Sequence, residues 1–278
     1  MPENTALVAV EGDLSLLSED QNEGLTALLA RFSGEATGPI GLEAPDDMSP
    51  ALTIPTLKIR QRMTTDPSCP EEARDGDLYT TTGDLPEAPV KFVPIAIWGE
   101  HTKWSPDGGN IECRSPDGKT GSMYGPCRDC PDLPWRDNKR QDCDKNLNAV
   151  ILTEGMTLYK VRFSSTSYKA GSNLVKFTKA MPSMWGKFFS LASDKRVNAK
   201  GEFHIFETKI FTEAPNASFQ AVARHLCLEF MAARKEYIAD FYARLEEGSS
   251  TEGEAIAEPQ VTTVTVDAAA EPTYDVEL

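Results

Sequence analysis

Histidine is scarce in this chain: three among 278 residues, His101, His204 and His225. With no glycine-rich phosphate loop either, few templates for catalysis remain. Long apolar runs are missing as well. No stretch reaches the roughly 20 apolar residues that cross a bilayer, so no membrane partner is expected. Met1 to Asp20 is acidic and has no basic start, which excludes a secretory or transit signal and points to a reducing, cytoplasmic setting. Internal repeats are absent. Basic residues are nearly absent from the two ends: residues 1–50 hold ten acids and the single base Arg31, and residues 246–278 hold nine acids and no base.

The rest of the chain reverses that balance. Net charge is −15 overall, yet residues 51–245 hold 24 acids against 27 bases, a net of +3, and residues 150–245 hold 14 bases against 8 acids. A basic body with acidic ends suits a nucleic-acid-binding protein, and equally a soluble protein whose tails are kept hydrated by charge. Hydrophobic residues at 40% and charged residues at 26% give an ordinary globular mixture with enough apolar surface for a sizeable core.

Four units follow along the chain. Residues 1–50 form an acidic segment with one helix after Ser18, where Leu25, Leu28, Leu29 and Phe32 recur at helical spacing and Gly34 stops the pattern; a Gly- and Pro-rich linker follows. Residues 51–217 read as a mainly β (α+β) domain. Its strands are Leu57 to Arg60, Val90 to Trp98 (with Pro94 marking an edge or bulge), the hairpin Leu147 to Thr153 and Met156 to Ser164, and Phe203 to Thr212. Asp75-Gly76 and Gly83-Asp84 mark turns. A helix is predicted from Ser183 through Trp185, Phe188, Phe189 and Leu191. Residues 218–247 form a long bracing helix, capped by Ser218, with an apolar stripe of Phe219, Val222, Leu226, Phe230, Tyr237, Phe241 and Leu245. Residues 248–278, poor in large apolar groups, are expected to be a disordered acidic tail.

Residues 99–146, inside the β domain, are poor in aliphatics and rich in Gly, Pro, Asp and Cys. Such a segment cannot bury enough apolar surface to order itself. Its cysteines supply the remedy. Cys113, Cys127, Cys130 and Cys143 stand at C-x13-C-x2-C-x12-C, where the C-x2-C pair presents two thiolates to one ion and the flanking cysteines return to close a tetrahedron. One structural Zn2+ is therefore expected, its binding energy serving as folding energy. His101 is an alternative fourth ligand. Cys69 and Cys227 stand apart, Cys227 as a packing residue on the long helix.

A basic and aromatic stretch follows the knuckle: Lys160, Arg162, Tyr168, Lys169, Lys176, Lys179 and Trp185. Single-strand binding needs cations for phosphates and rings on which bases stack. Alternation puts Lys160 and Arg162 on one face of a strand and Tyr159, Val161 and Phe163 on the other. Tyr159 and Phe163 fit a core better than a stacking platform. Lys58, Arg60 and Arg62 form a second short basic run.

Together these parts resemble phage-type single-stranded DNA-binding proteins, through a mostly β body, a zinc knuckle between strands, and an acidic tail ending in Tyr274, Asp275, Val276, Glu277 and Leu278. Ile54-Pro-Thr-Leu-Lys58, Gly76-Asp77, Cys113-Arg-Ser-Pro-Asp-Gly118 and the remaining cysteines are similar to a pattern of bacteriophage proteins, over roughly residues 52–180. The resemblance implies an OB-like barrel, sequence-tolerant DNA binding in replication or recombination within a bacterial host, and a tail that docks partner enzymes. Two other classes stay open. One is a zinc-containing protein-interaction or transcription-regulating factor. The other is a metal-dependent nuclease built on Glu207-x-Lys209 and Asp194.

Overall fold

The computed structural model describes residues 17–32, 54–106, 110–132, 142–181, 183–199 and 201–248. The expected tail residues Tyr274 to Leu278 lie outside them. One curled, half-barrel sheet dominates. Its strands are β1 (Thr56–Ile59), β2 (Leu78–Thr80), β3 (Val90–Trp104), β4 (Ile111–Ser115), β7 (Cys143–Thr153), β8 (Leu158–Ser164), β9 (Phe189–Asn198) and β10 (Gly201–Ile210). They follow the order β10-β9-β3-β7-β8-β1-β2, with β4 added to the far end of β3. Every pairing is antiparallel except β1 with β8. The two-residue strands β5 (Thr120–Gly121) and β6 (Gly125–Pro126) form a separate small ribbon. The architecture is mainly β, with three α-helices among the described residues, α1 (Glu19–Phe32), α2 (Tyr168–Lys179) and α3 (Ala217–Gly248). Among the described residues no helix is long and apolar enough to cross a membrane.

Strand β3 organises the sheet. It pairs with β9 at Val90–Phe92, with β7 from Phe92 to Lys103, and with β4 from His101 to Trp104. Pro94 falls where the β3–β7 register shifts, so the bulge expected there is present, in a central strand and not at an edge. A ladder so placed is covered on both faces, and two cores result. One lies under α1 and α3 and contains Val93, Ile95, Val150, Leu152, Phe188, Phe219 and Val222. The other lies under α2 and contains Phe92, Ile151, Val161, Phe163, Leu174, Phe189 and Leu191.

Burial on both faces explains the main correction. Phe188 and Phe189 are adjacent because they serve opposite cores, so the segment read as a helix over residues 183–191 enters strand β9. The helix lies earlier, in α2, inside the stretch read as basic. There Ala170, Gly171 and Leu174 are buried and Phe177 packs beside them, which is helical spacing. Gly171 hid it: glycine weakens a helix by about 1 kcal/mol against alanine. It is present because a Cβ there would meet Phe163 Cβ and Cγ at 2.8 Å.

Helix α1 begins as expected. The Ser18 hydroxyl accepts the Gln21 N–H, and Gln21 Oε1 accepts the Ser18 N–H, a reciprocal cap. Helix α3 is capped two residues before its expected cap. Asn216 Oδ1 accepts the Phe219 N–H at 2.8 Å, while Ser218 is buried. At roughly 1.5 Å per residue, this helix of 32 residues extends about 48 Å. Its first turns bury Phe219, Val222, Ala223 and Leu226 in the core. Its second half leaves the core and reaches the cysteine segment instead: Arg234 Nη2 donates to Pro116 O at 2.6 Å, and Tyr242 Oη donates to Asp117 Oδ1 at 2.9 Å and to Thr120 O at 2.6 Å. The stripe expected to run on to Leu245 therefore packs on the core only as far as Phe230; Tyr237 is exposed, and the anchors Arg234 and Tyr242 lie outside the stripe.

Candidate functional site: four thiols beside a basic sheet face

The core-poor segment is built from regular ladders. Cys113 sits on β4 and Cys143 opens β7, and both pair in register with Lys103 of β3, so the two thiols flank one lysine. Cys127 starts a 3-10 turn, Cys127–Asp129, and Cys130 follows it, with its N–H donating to Cys127 O at 3.2 Å. All four cysteines are buried and none is in a disulfide. They line one small cavity of about 10 Å3 together with Lys103, Gly121, Tyr124 and Gly125. Gly121 is required there, because a Cβ would stand 2.8 Å from Cys113 Sγ and 3.8 Å from Cys127 Sγ.

Burial makes two of the four thiols harder to ionise. Burial pushes the Cys143 thiol up to about 12, with Cys130, Cys113 and Cys127 adding to it. Burial also raises Cys127, against a hydrogen bond involving Ser115. Lys103 closes one wall. Its ammonium donates to Asp132 at 2.9 Å and to Tyr124 Oη at 3.2 Å and pairs with Glu112 at 3.1 Å; these bonds raise its pKa. Among the described residues, no three or more His, Cys, Asp or Glu side chains stand in a geometry that could hold a metal ion. Four soft sulfur donors around one ion-sized space are nonetheless the donor set that suits Zn2+. His101 does not line this cavity.

The residues expected to bind nucleic acid divide between the two faces of the sheet. Tyr168, Lys169, Lys176 and Lys179 lie on α2, all exposed. Lys160 and Arg162 lie on the opposite face, shared with α3, while Val161 and Phe163 point into the α2 core as alternation requires. Trp185 is half-buried against the α3-side core, which limits it as a stacking platform. The short run at Lys58 and Arg60 is structural: Lys58 pairs with Asp66, and Arg60 donates to Pro70 O at 3.1 Å. Of the nuclease candidates, Glu207 pairs with Lys209 at 2.8 Å and Asp194 with Arg196.

The α3 face holds more than the sequence suggested. Register sets Arg162 beside Asn148, Asn148 beside Trp98, and Asn146 beside Glu100. Glu100, 9% exposed, accepts Arg114 Nε on Oε1 and Asn148 Nδ2 on Oε2, both at 2.9 Å. Arg234 reaches down from α3 to lie 4.7 Å over the Trp98 ring. Burial lowers the Lys160 pKa; Glu100 opposes this and Arg114, Arg162 and Arg234 reinforce it, so all four charges act on Lys160. Four cations thus gather about one carboxylate, with an indole among them. The Asn146 amide and Asn148 Oδ1 are buried with no partner among the described residues. Arg114 could have been suspected from its place next to Cys113. Arg234 was legible only as i+4 from Phe230.

No family model, curated protein or solved structure matches the chain.

Proposed function

We propose that the protein is a non-catalytic single-stranded DNA-binding protein, of phage type, that holds DNA during replication or recombination. The observation that carries this reading is the gathering of Lys160, Arg162, Arg114 and Arg234 about Glu100 and Trp98 on one sheet face. A single strand needs this combination: cations in excess for phosphates and a ring for a base. The half-barrel would then serve as an OB-like platform. The exposed Lys169, Lys176 and Lys179 of α2 would extend the positive field on the far side.

One Zn2+, held by Cys113, Cys127, Cys130 and Cys143 as thiolates, would act as a cross-link that ties β4 and the Cys127 turn to the start of β7. No step of binding needs it to touch DNA. The acidic tail, through Tyr274, Asp275, Val276, Glu277 and Leu278, would dock replication or recombination enzymes and compete with DNA for the basic face. A second reading, a zinc-containing interaction or regulatory factor, is favoured by one feature: Leu228, Met231 and Tyr237 of α3 are 60%, 50% and 41% exposed.

Fluorescence anisotropy of a labelled 30-mer single strand against the full-length chain, over a salt series, separates the two. Sequence-tolerant binding that weakens as salt rises is the expected result. No binding at low salt would remove the DNA reading and leave the interaction factor.

A further inference from the structure

Beside the four-thiol cavity runs an open groove of about 470 Å3, lined by His101, Gly118, Lys119, Pro126, Cys127 and Arg128. Its charged side chains are basic. Lys119 and Arg128 are exposed at its rim, and Lys145 lies close enough for its charge to act on His101. His101 Nδ1 is buried and has no partner among the described residues. Asp117, whose charge acts on His101, is committed elsewhere: its Oδ1 accepts Ser115 Oγ, the N–H groups of Lys119 and Thr120, and Tyr242 Oη. Among the described residues Arg128 has one ion pair, to Asp129 through Nε at 3.2 Å, and both side chains are well exposed.

We propose that this groove is a phosphate-binding site, taking a phosphodiester group of the same single strand that crosses the α3 face. This rests on the DNA reading above. The two surfaces border one loop, residues 116–119: its Pro116 O accepts Arg234 from the α3 face, and its Gly118 and Lys119 line the groove. Two exposed cations at the rim of an open groove are donors of the kind that grip phosphate oxygens. A competing role for these cations is to offset a tetrathiolate zinc, whose formal charge is about −2. Lys103 is the cation placed for that role, since it lines the thiol cavity between Cys113 and Cys143, whereas Lys119 and Arg128 face the groove.

The test is the double variant Lys119→Gln with Arg128→Gln in the full-length chain. Both side chains are exposed, so folding should be unaffected. The expected result is at least a tenfold weaker hold on a labelled 30-mer single strand at low salt. The slope of log K against log salt should fall by about 1.4, as for two single-strand phosphate contacts, with zinc content unchanged. A chain that still binds DNA with unaltered affinity and slope in the variant overturns the groove and leaves the DNA reading standing. Loss of zinc in the variant also overturns it, since the cations would then serve the metal. If the unmodified chain binds no DNA, titration with inorganic pyrophosphate decides. Saturable amide-shift changes at Gly118 and Lys119, lost in the variant, support a site for free phosphate compounds; no change overturns the site altogether.

Discussion

Replacing Glu100 with glutamine removes a carboxylate from among the cations of the α3 face while keeping the side chain's shape. Glu100 is 9% exposed and accepts Arg114 Nε and Asn148 Nδ2, each at 2.9 Å. Breaking a buried charge pair by deleting one partner costs about 3–5 kcal/mol. Two features reduce that here. A glutamine Oε1 still accepts from Arg114, and the new Nε2–H finds an acceptor if Asn148 turns its amide over, because Asn148 Oδ1 has no other partner. What remains is the loss of charge against Arg114, Arg162, Arg234 and Lys160, and about 2 kcal/mol is expected for Glu100→Gln. Glu100→Ala strands both donors and should cost about 3–4 kcal/mol. In a domain of this size the glutamine variant should melt about 4–8 °C lower. Its DNA affinity should move the other way. One charge removed at about 8 Å from a phosphate, at an effective dielectric of about 40, is worth about 1 kcal/mol, or roughly fivefold tighter binding at low salt. Urea unfolding and anisotropy measure the two effects separately. A glutamine variant as stable as the parent would refute the claim that Glu100 holds these cations together. Weaker DNA binding in that variant would refute the placement of the strand on this face.

Gly171→Ala gains about 1 kcal/mol of helix propensity in α2, but it drives a methyl to within 2.8 Å of Phe163 Cβ and Cγ. Those atoms cannot swing aside, so a net loss of about 1–2 kcal/mol in urea unfolding is expected, and a gain in stability would contradict the packing. Tyr242→Phe removes the donor to Asp117 Oδ1 and Thr120 O; amide exchange in residues 116–121 should quicken about fivefold, corresponding to about 1 kcal/mol, with the β7–β8 ladder unchanged. For Asp66, burial works to raise the carboxyl pKa, but hydrogen bonds from Lys58 and Ser68 outweigh it and hold the group well below the usual range. A depressed folded pKa gives stability that is present above the unfolded value of about 3.9 and lost as pH falls below it. Asp66→Asn should therefore be less stable at pH 7 by about 2 kcal/mol and show a flatter stability profile between about pH 4 and pH 2; a parallel profile would refute the assignment. On the zinc reading, Cys143→Ser or a strong chelator should remove one zinc per chain and open residues 111–132 to protease, and equal resistance with and without metal would exclude a metal cross-link.

The strands that alternate plainly were legible in the sequence. The β7–β8 hairpin could be read from Val150, Leu152, Leu158 and Val161 around the Glu154-Gly155 turn, and β10 from Phe203 to Ile210. What defeated the reading was burial on two faces and close packing. Phe188-Phe189 looks helical only if one face is apolar, and β9 has two. Gly171 looks like a helix breaker only until Phe163 is beneath it. The four cysteines could be grouped in the sequence because ligand spacing is local, and all four border one cavity. The basic face was half found. Lys160 and Arg162 follow from strand alternation, whereas Arg114, Arg234 and Glu100 come from other elements, and only the β3–β4 register and the reach of α3 bring them together.

The loop at residues 115–120 joins these parts into one mechanical unit. It leaves β4 directly after Cys113 and Arg114, so the strand that carries a thiol also carries a cation of the sheet face. Gly118, at φ 69°, folds the loop back until a Cβ there would lie 3.2 Å from Gly99 O, next to Glu100. From α3, Arg234 and Tyr242 both close on this loop. Ordering of the thiol segment therefore fixes the position of α3, and α3 in turn fixes Arg234 over Trp98. A metal held only by sulfur would in this way set the spacing of cations that never approach it. The second half of α3, with little core of its own to hold it, depends on that loop for its place on the sheet. That dependence accounts for a 32-residue helix in which Arg234 and Tyr242 stand on the docked side beyond the last core residue.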